Sequence, residues 1–304
     1  MSWNKITEMQ NPISSGIDEK PVIDILNIIN SEDAQVATAV KKTIPEIKCF
    51  IDKLIDCLHN GGRFFYVGSG TSGRLGVLDA VECPPTFSTK PEMIEGIIAG
   101  GYDALVRSIE GAEDSWSDGA KAISKKSITK RDVVMGISAS NSTPFVMGAL
   151  EKAKKEKALT CLLICNKSPD LPYVDHILTV IVGPEVITGS TRMKSGTATK
   201  MVLNMITTTA MIKLNKTFGN LMVDLKASNK KLWDRGARIV SHLTDLNYDD
   251  SLQLLKSADG EVKTAIVMNK SNIKAKDARK ILDNNFGSLR EAISHIRTNL
   301  LDIS

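Results

Sequence analysis

Cysteine, histidine and aromatic residues are scarce in this chain, and long apolar runs are missing. Only five of its 304 residues are cysteine (Cys49, Cys57, Cys83, Cys161, Cys165). The number is odd, CxxC spacing is absent and most lie in apolar periodic segments, which suits reduced thiols and excludes a disulfide framework. The four histidines, His59, His176, His242 and His295, form no cluster, so no metal ion is expected and no histidine is assigned a catalytic role. Aromatics make up 5% of the chain, and Trp3, Trp116 and Trp233 are scattered as packing residues rather than gathered as a sugar-stacking platform. No stretch of about 18 uncharged apolar residues occurs, and the start, MSWNKITEMQNPISSGIDEK, lacks an apolar core of signal-peptide length. A soluble, cytoplasmic protein is the expectation. The net charge of +4 is small and dispersed, and the lysine-rich run 152–157 reads as a solvated helix face, so neither nucleic acid nor membrane is an expected partner.

What is present is ordinary globular material: 42% hydrophobic and 24% charged residues, in a chain long enough for one large domain and a small appended one. Apolar residues from Val36 to Leu58 recur at helical spacing, with Ser31 as a candidate N-cap and Pro45 expected to kink or split the helix. Strands over 64–67, 93–99, 133–137, 159–164 and 177–182 then alternate with helices over 75–82, up to 110, from near 113, over 145–157 and over 192–214. Such alternation predicts an α/β fold, a doubly wound parallel sheet covered on both faces, with ligands outside the carboxyl ends of its strands. Beyond Asp234 the texture changes to short amphipathic segments broken at Gly260, Asn269 to Ser271 and Gly287. The expected organisation is a leader and helices over 1–60, an α/β domain over 61–233 and a small helical bundle over 234–304.

Two hydroxyl-rich loops carry the chemistry. The first, VGSGTSGR from Val67 to Arg74, follows an apolar strand and enters a helix. Its glycines match G-x-G-x-x-G, but Ser69, Thr71 and Ser72 add three hydroxyls beside the free N–H groups of a helix start, which suits a terminal phosphate ester better than a dinucleotide pyrophosphate. The second, GISASNSTP, supplies Ser138, Ser140, Asn141 and Thr143 in the same strand-to-helix setting. Either loop alone is more simply a helix cap. Two at equivalent strand ends point to one phosphosugar gripped between them.

That pairing resembles the sugar isomerase (SIS) fold. The stretches GSGTSGRLGVLDAVECPPTF, IIAGG, IEGAEDS, VGPEVITGSTRMKSGTATKMVLNM and FGNLMVDLKASNKKLWDRGARIV resemble, over nearly the whole chain, the N-acetylmuramic acid 6-phosphate etherases. GPEVITGSTRMKSGT is shared chiefly with the glucokinase regulatory protein, which joins two SIS units in a longer chain. Residues 259–293 look like a ubiquitin-associated-type three-helix unit in shape. Where the etherases often read ASGRTPYV, this chain has Ala139-Ser140-Asn141-Ser142-Thr143-Pro144-Phe145-Val146; the arginine is missing while the hydroxyls remain.

The resemblance implies cleavage of the C3 ether to D-lactate by elimination and rehydration, no cofactor, a homodimer, and acid-base roles for Glu82 and Glu113. GPEVITGSTR is another strand-end loop entering a helix, which makes Glu185, Thr188, Ser190, Thr191, Arg192 and Lys194 candidates for lining the sugar pocket, with helix capping an equal reading for Ser190 and Thr191. Local sequence suggests a division of labour. Pro84 and Pro85 should end the first helix just after Glu82, and a helix C-terminus disfavours negative charge, so Glu82 is expected to act as the acid. Glu113 follows Gly111 where the next helix is expected to start, a setting that favours the anion and a base. Glu110 competes for the same role. Two further readings are a phosphosugar-sensing regulatory protein with no turnover and, on the glycines alone, an NAD-dependent dehydrogenase, which the hydroxyls and the second loop disfavour.

Overall fold

The computed structural model describes residues 5–140, 143–167 and 170–294. Contacts group them into two compact units, Met1–Glu82 with Pro91–Thr207, and Cys83–Lys90 with Thr208–Ser304.

The first unit opens with three short 3-10 turns between Ile6 and Glu19, followed by α1 (Val22–Asp33), α2 (Val36–Lys42) and α3 (Ile44–His59). Pro45 splits the helical run as expected, sitting in the first turn of α3 where its missing N–H costs nothing. Ser31 lies inside α1 and caps nothing at a helix start. The α/β core follows as β1 (Phe64–Gly68), α4 (Gly70–Phe87), β2 (Ile94–Ile98), α5 (Asp103–Val106), α6 (Trp116–Lys125), β3 (Val133–Ile137), α7 (Pro144–Lys155), β4 (Leu159–Ile164), β5 (His176–Thr179) and α8 (Lys194–Lys213).

The five strands form one sheet in the order β2-β1-β3-β4-β5, and every pairing is parallel. β1 and β3 are buried along their whole length, which is why both read as unbroken apolar runs. The pleat divides the side chains of β1. Phe65 and Val67 join a core with Ile123, Phe145, Val146 and Leu150 from α6 and α7. Phe64 and Tyr66 point the other way, and Phe50 of α3 lies 6.0 Å from Phe64 between ring centroids.

Helices α6 and α7 cross at two glycines. A Cβ on Gly119 would fall 1.9 Å from the Phe145 carbonyl oxygen, and one on Gly148 would fall 2.1 Å from that of Trp116. At an open helix position, Gly→Ala stabilises by up to about 1 kcal/mol. Here the clash reverses the sign: Gly148→Ala is expected to destabilise by about 1–3 kcal/mol, measured by urea unfolding. An unchanged or raised midpoint would show that the helices can separate freely.

Two helix ends differ from expectation. Pro84 and Pro85 lie inside α4, which runs to Phe87. Prolines lose their donors but still accept, and the Ser88 N–H donates to the Pro84 carbonyl at 2.9 Å, so the helical turn continues. Glu82 is therefore five residues short of the helix end. Likewise Glu113 belongs to a 3-10 turn, Ala112–Asp114, and the helix proper starts at Trp116 with Ser115 as its cap, the Ser115 hydroxyl accepting from the Asp118 N–H at 3.2 Å. The helical stretch expected to reach Glu110 ends at Val106.

The second unit contains α9 (Lys230–Thr244), α10 (Tyr248–Ser257), α11 (Val262–Ser271), α12 (Ala275–Asn284) and helical residues 289–294. Asn229 and Asn247 cap the first two through their side-chain oxygens, and Val240, Leu255, Val262, Ile266 and Ala278 lie in its core. The expected boundary at 233/234 falls inside α9, so the change in texture near Asp234 marks a strongly amphipathic helix.

Candidate active site

Parallel register brings the carboxyl ends of the strands to one edge: Gly68 pairs with Ile98 and with Ile137, and Ile137 with Leu163. Pairing continues into the loops, with Ala99 N–H donating to Gly68 O (3.0 Å), Ser138 N–H to Leu163 O (3.0 Å) and Cys165 N–H to Ala139 O (3.1 Å). From β1 the chain adds β2 on one side and β3, β4 and β5 on the other. The crevice of an open α/β sheet lies where that direction reverses, between β1 and β3. The two loops leaving these strands are the two hydroxyl-rich loops.

In the first loop, Ser69, Thr71 and Ser72 are half-buried. Gly70 takes φ +50°, and a Cβ at Gly68 would fall 2.6 Å from the Gly73 nitrogen, so the first turn of α4 lies directly on the strand end. Helix geometry leaves the first N–H groups of α4 without intrahelical acceptors. Arg74 braces this turn, donating from Nε to Leu105 O (3.2 Å) and from Nη2 to Arg107 O (3.0 Å).

In the second loop, Ser138 is buried and its hydroxyl is 2.8 Å from that of Thr143. Thr143 occupies the cap position of α7 but makes no side-chain cap hydrogen bond. Its hydroxyl faces Ser138, so the capping explanation does not account for it. Ser140 is half-buried in the same loop; Asn141 and Ser142 lie outside the described residues.

The loop before α8 departs from expectation at its charged residues. Glu185 is fully buried, accepting from the Lys194 N–H (2.9 Å) at one oxygen and from the Ser195 N–H (2.9 Å) and hydroxyl (2.8 Å) at the other. It caps the start of α8, and its side chain is closed to solvent. Lys194 is 2% exposed and ion-paired to buried Glu32 of α1, so its ammonium is closed to solvent and committed. Ser190 and Thr191, in contrast, are half-buried and relieved of capping by Glu185. Gly196 lies between Thr191 and the first loop, since a Cβ there would touch Thr71 Cγ2 at 3.5 Å and Thr191 O at 3.6 Å. Thr188 and Arg192 are exposed.

Residues 46–154 match the family "Glucokinase regulatory protein N-terminal SIS domain". Over the full length the likeness is of another kind. The chain is 46% identical over 295 residues to the N-acetylmuramic acid 6-phosphate etherase of Photorhabdus laumondii, covering 97% of this chain and 98% of that one. It is 49% identical over 288 residues to the protein of the same name from Clostridium acetobutylicum, covering 94% and 95%. The chain belongs to the N-acetylmuramic acid 6-phosphate etherase family.

In this etherase-family chain the two expected acid-base residues are accessible. Glu82 on α4 and Glu113 in its 3-10 turn are both exposed, and no hydrogen bond or ion pair engages either among the described residues. Glu110 accepts from the Ser108 hydroxyl at 3.2 Å, which weakens its claim to the role of Glu113. Cys165 stands at the end of β4, where burial pushes its thiol up to about 12, so it offers no thiolate nucleophile. Among the described residues no three His, Cys, Asp or Glu side chains gather where a metal ion could bind.

Sequence reasoning missed the polar residues behind these loops. Asp79, one turn before Glu82 on α4, is buried, accepts from the Tyr66 hydroxyl at 2.9 Å and lies 3.7 Å from the Lys200 ammonium. Burial raises its pKa against the lowering effect of Tyr66, Thr207 and Lys200. A carboxylate within the apolar stretch LGVLDAV was the available signal.

Proposed function

We propose that this chain cleaves the C3 lactyl ether of N-acetylmuramic acid 6-phosphate, yielding N-acetylglucosamine 6-phosphate and D-lactate. The observation that carries the reading is the convergence of both hydroxyl-rich loops on the switch point of the sheet, in a chain that etherases match from end to end. The first turn of α4 with Ser69, Thr71 and Ser72, together with Ser138, Ser140, Asn141 and Thr143, holds the phosphate. Ser190 and Thr191 face the sugar, and Glu185 and Lys194 serve the loop that carries them.

In the opened sugar the C1 carbonyl acidifies the C2 hydrogen. Glu113 takes that proton, the C2–H electrons form the C2–C3 double bond, and the C3–O bond breaks as Glu82 protonates the departing lactate oxygen. Water then adds at C3 with the proton bookkeeping reversed, Glu82 acting as base and C2 regaining hydrogen. No cofactor takes part.

The match over nearly the full length of the etherases favours turnover over a non-catalytic phosphosugar sensor, whose SIS family matches residues 46–154 alone. We further propose a cytoplasmic homodimer acting in cell-wall recycling. The apolar side chains Val22, Ile23 and Leu26 on α1, each more than half exposed, support burial against a second copy, and light scattering tests the mass. Lactate release from N-acetylmuramic acid 6-phosphate is expected to proceed undiminished in excess chelator. Activity lost to chelator and restored by a divalent cation would refute the metal-free site, and binding without lactate release would favour the sensor.

A further inference from the structure

Helix α1 is anchored in an unusual way. Of its apolar residues Val22, Ile23 and Leu26 face solvent and Ile25, Ile28 and Ile29 are half-buried, while Glu32 is its one fully buried residue. Glu32 pairs with the Lys194 ammonium, and the same oxygen, Oε2, accepts from Asn11 Nδ2 at 2.7 Å. Its other oxygen accepts from Gln35 Nε2 at 3.3 Å. Asn11 Nδ2 also donates to Pro184 O at 3.2 Å, and the Ser14 hydroxyl donates to Val186 O at 2.7 Å. Two loop carbonyls and the first residue of α8 are thus held from the N-terminal segment, immediately before Ser190 and Thr191.

A buried ion pair is a poor source of net stability, because desolvating both charges offsets most of their attraction, and an apolar pair of similar volume often serves as well. Directional hold is what an apolar pair cannot supply. The ammonium accepts no rotation away from Glu32 without leaving a charge buried and unpaired, and Asn11 transmits that fixed position to the Pro184 carbonyl. We propose that Glu32 is a positioning residue: acting through Lys194 and Asn11, it sets residues 184–191 against the first phosphate loop. This rests on reading that loop as part of the sugar pocket.

The test compares Glu32→Gln, the double variant Glu32→Met with Lys194→Met, and the double variant Asn11→Ala with Ser14→Ala. Each is assayed well below its own melting temperature, by lactate release and by calorimetric titration with N-acetylglucosamine 6-phosphate. Misplacing a binding loop is expected to raise KM and the product Kd by about 10- to 100-fold while kcat changes far less. The double methionine variant should regain the wild-type melting temperature yet keep the raised KM. Asn11→Ala with Ser14→Ala, which strands no charge, should shift KM in the same direction and carries the test if Glu32→Gln does not fold. Wild-type KM in either double variant would overturn the proposal and reduce the pair to a packing element. Glu32→Gln that binds product as tightly as wild type, or more tightly, would overturn it too, marking Lys194 as a ligand that Glu32 restrains. A wild-type protein that neither binds the product nor releases lactate would instead refute the pocket assignment, and the proposal with it.

Discussion

Glu113→Gln is expected to lose lactate release and C2 hydrogen exchange together, while Glu82→Gln loses release and keeps exchange. Each loss should be about 10²- to 10⁴-fold, the usual contribution of a positioned acid or base. An amide cannot remove the C2 proton, so without Glu113 nothing downstream occurs. Without Glu82 the base still forms the carbanion, which returns hydrogen from solvent because the lactate oxygen has no proton donor. Both side chains are exposed, so neither substitution should disturb folding. Deuterium uptake at C2, followed by NMR in heavy water beside a lactate assay, separates the two steps. Equal loss of both readouts in Glu82→Gln, in a variant that still binds sugar phosphate, would show the roles reversed or shared. In the unaltered enzyme, labelled water should place its oxygen at C3; product without that label would refute elimination and rehydration.

The helix-end argument that divided these roles does not survive the structure. It placed Glu82 at a C-terminus that lies five residues further on, because a local rule about proline gave way to a turn completed by the Pro84 carbonyl. The family resemblance implies acid-base roles for the pair without dividing them, so the division is a proposal that the exchange experiment decides.

Elsewhere, legibility followed burial. β1, β3 and β4 are buried on both faces, and their apolar runs placed them to within a residue or two. Helix α1 is hard to read because its half-buried stripe, Ile25, Ile28 and Ile29 ending at buried Glu32, is matched by exposed Val22, Ile23 and Leu26 on the other side, which blurs the period. The expectation that Glu185 and Lys194 line the pocket comes from their place in a strand-end loop, where polar residues look alike whatever they face. The partner that commits Lys194 lies 162 residues away in sequence. The hydroxyl loops were visible one at a time, but their meeting at the switch point depends on strand order, which the sequence alone does not state.

Gly73→Ala is expected to cost more sugar-phosphate affinity than removal of any single hydroxyl. A Cβ at Gly73 would fall 2.6 Å from Ile98 Cγ1 and 2.8 Å from the Gly68 carbonyl oxygen. The side-chain atom can move, but the strand carbonyl cannot, so the first turn of α4 must lift off β1 and carry its N–H groups, Thr71 and Ser72 with it. Displacing the whole cradle should weaken binding by about 100-fold. Ser72→Ala deletes one hydrogen bond to a charged ligand at a half-buried position and leaves the backbone donors in place, which puts its cost at the low end of the range, about 1.5 kcal/mol or roughly 10-fold. Gly70→Ala gives a third point of comparison: nothing lies within 4 Å of its added Cβ, and the burden is the left-handed φ of +50°, about 1–2 kcal/mol of folding stability. It should therefore lower the melting temperature while sparing most of the affinity. Calorimetry with N-acetylglucosamine 6-phosphate, with unphosphorylated N-acetylglucosamine as reference, reads all three. A folded Gly73→Ala variant with wild-type affinity for the phosphosugar would show that the phosphate is held somewhere other than the start of α4.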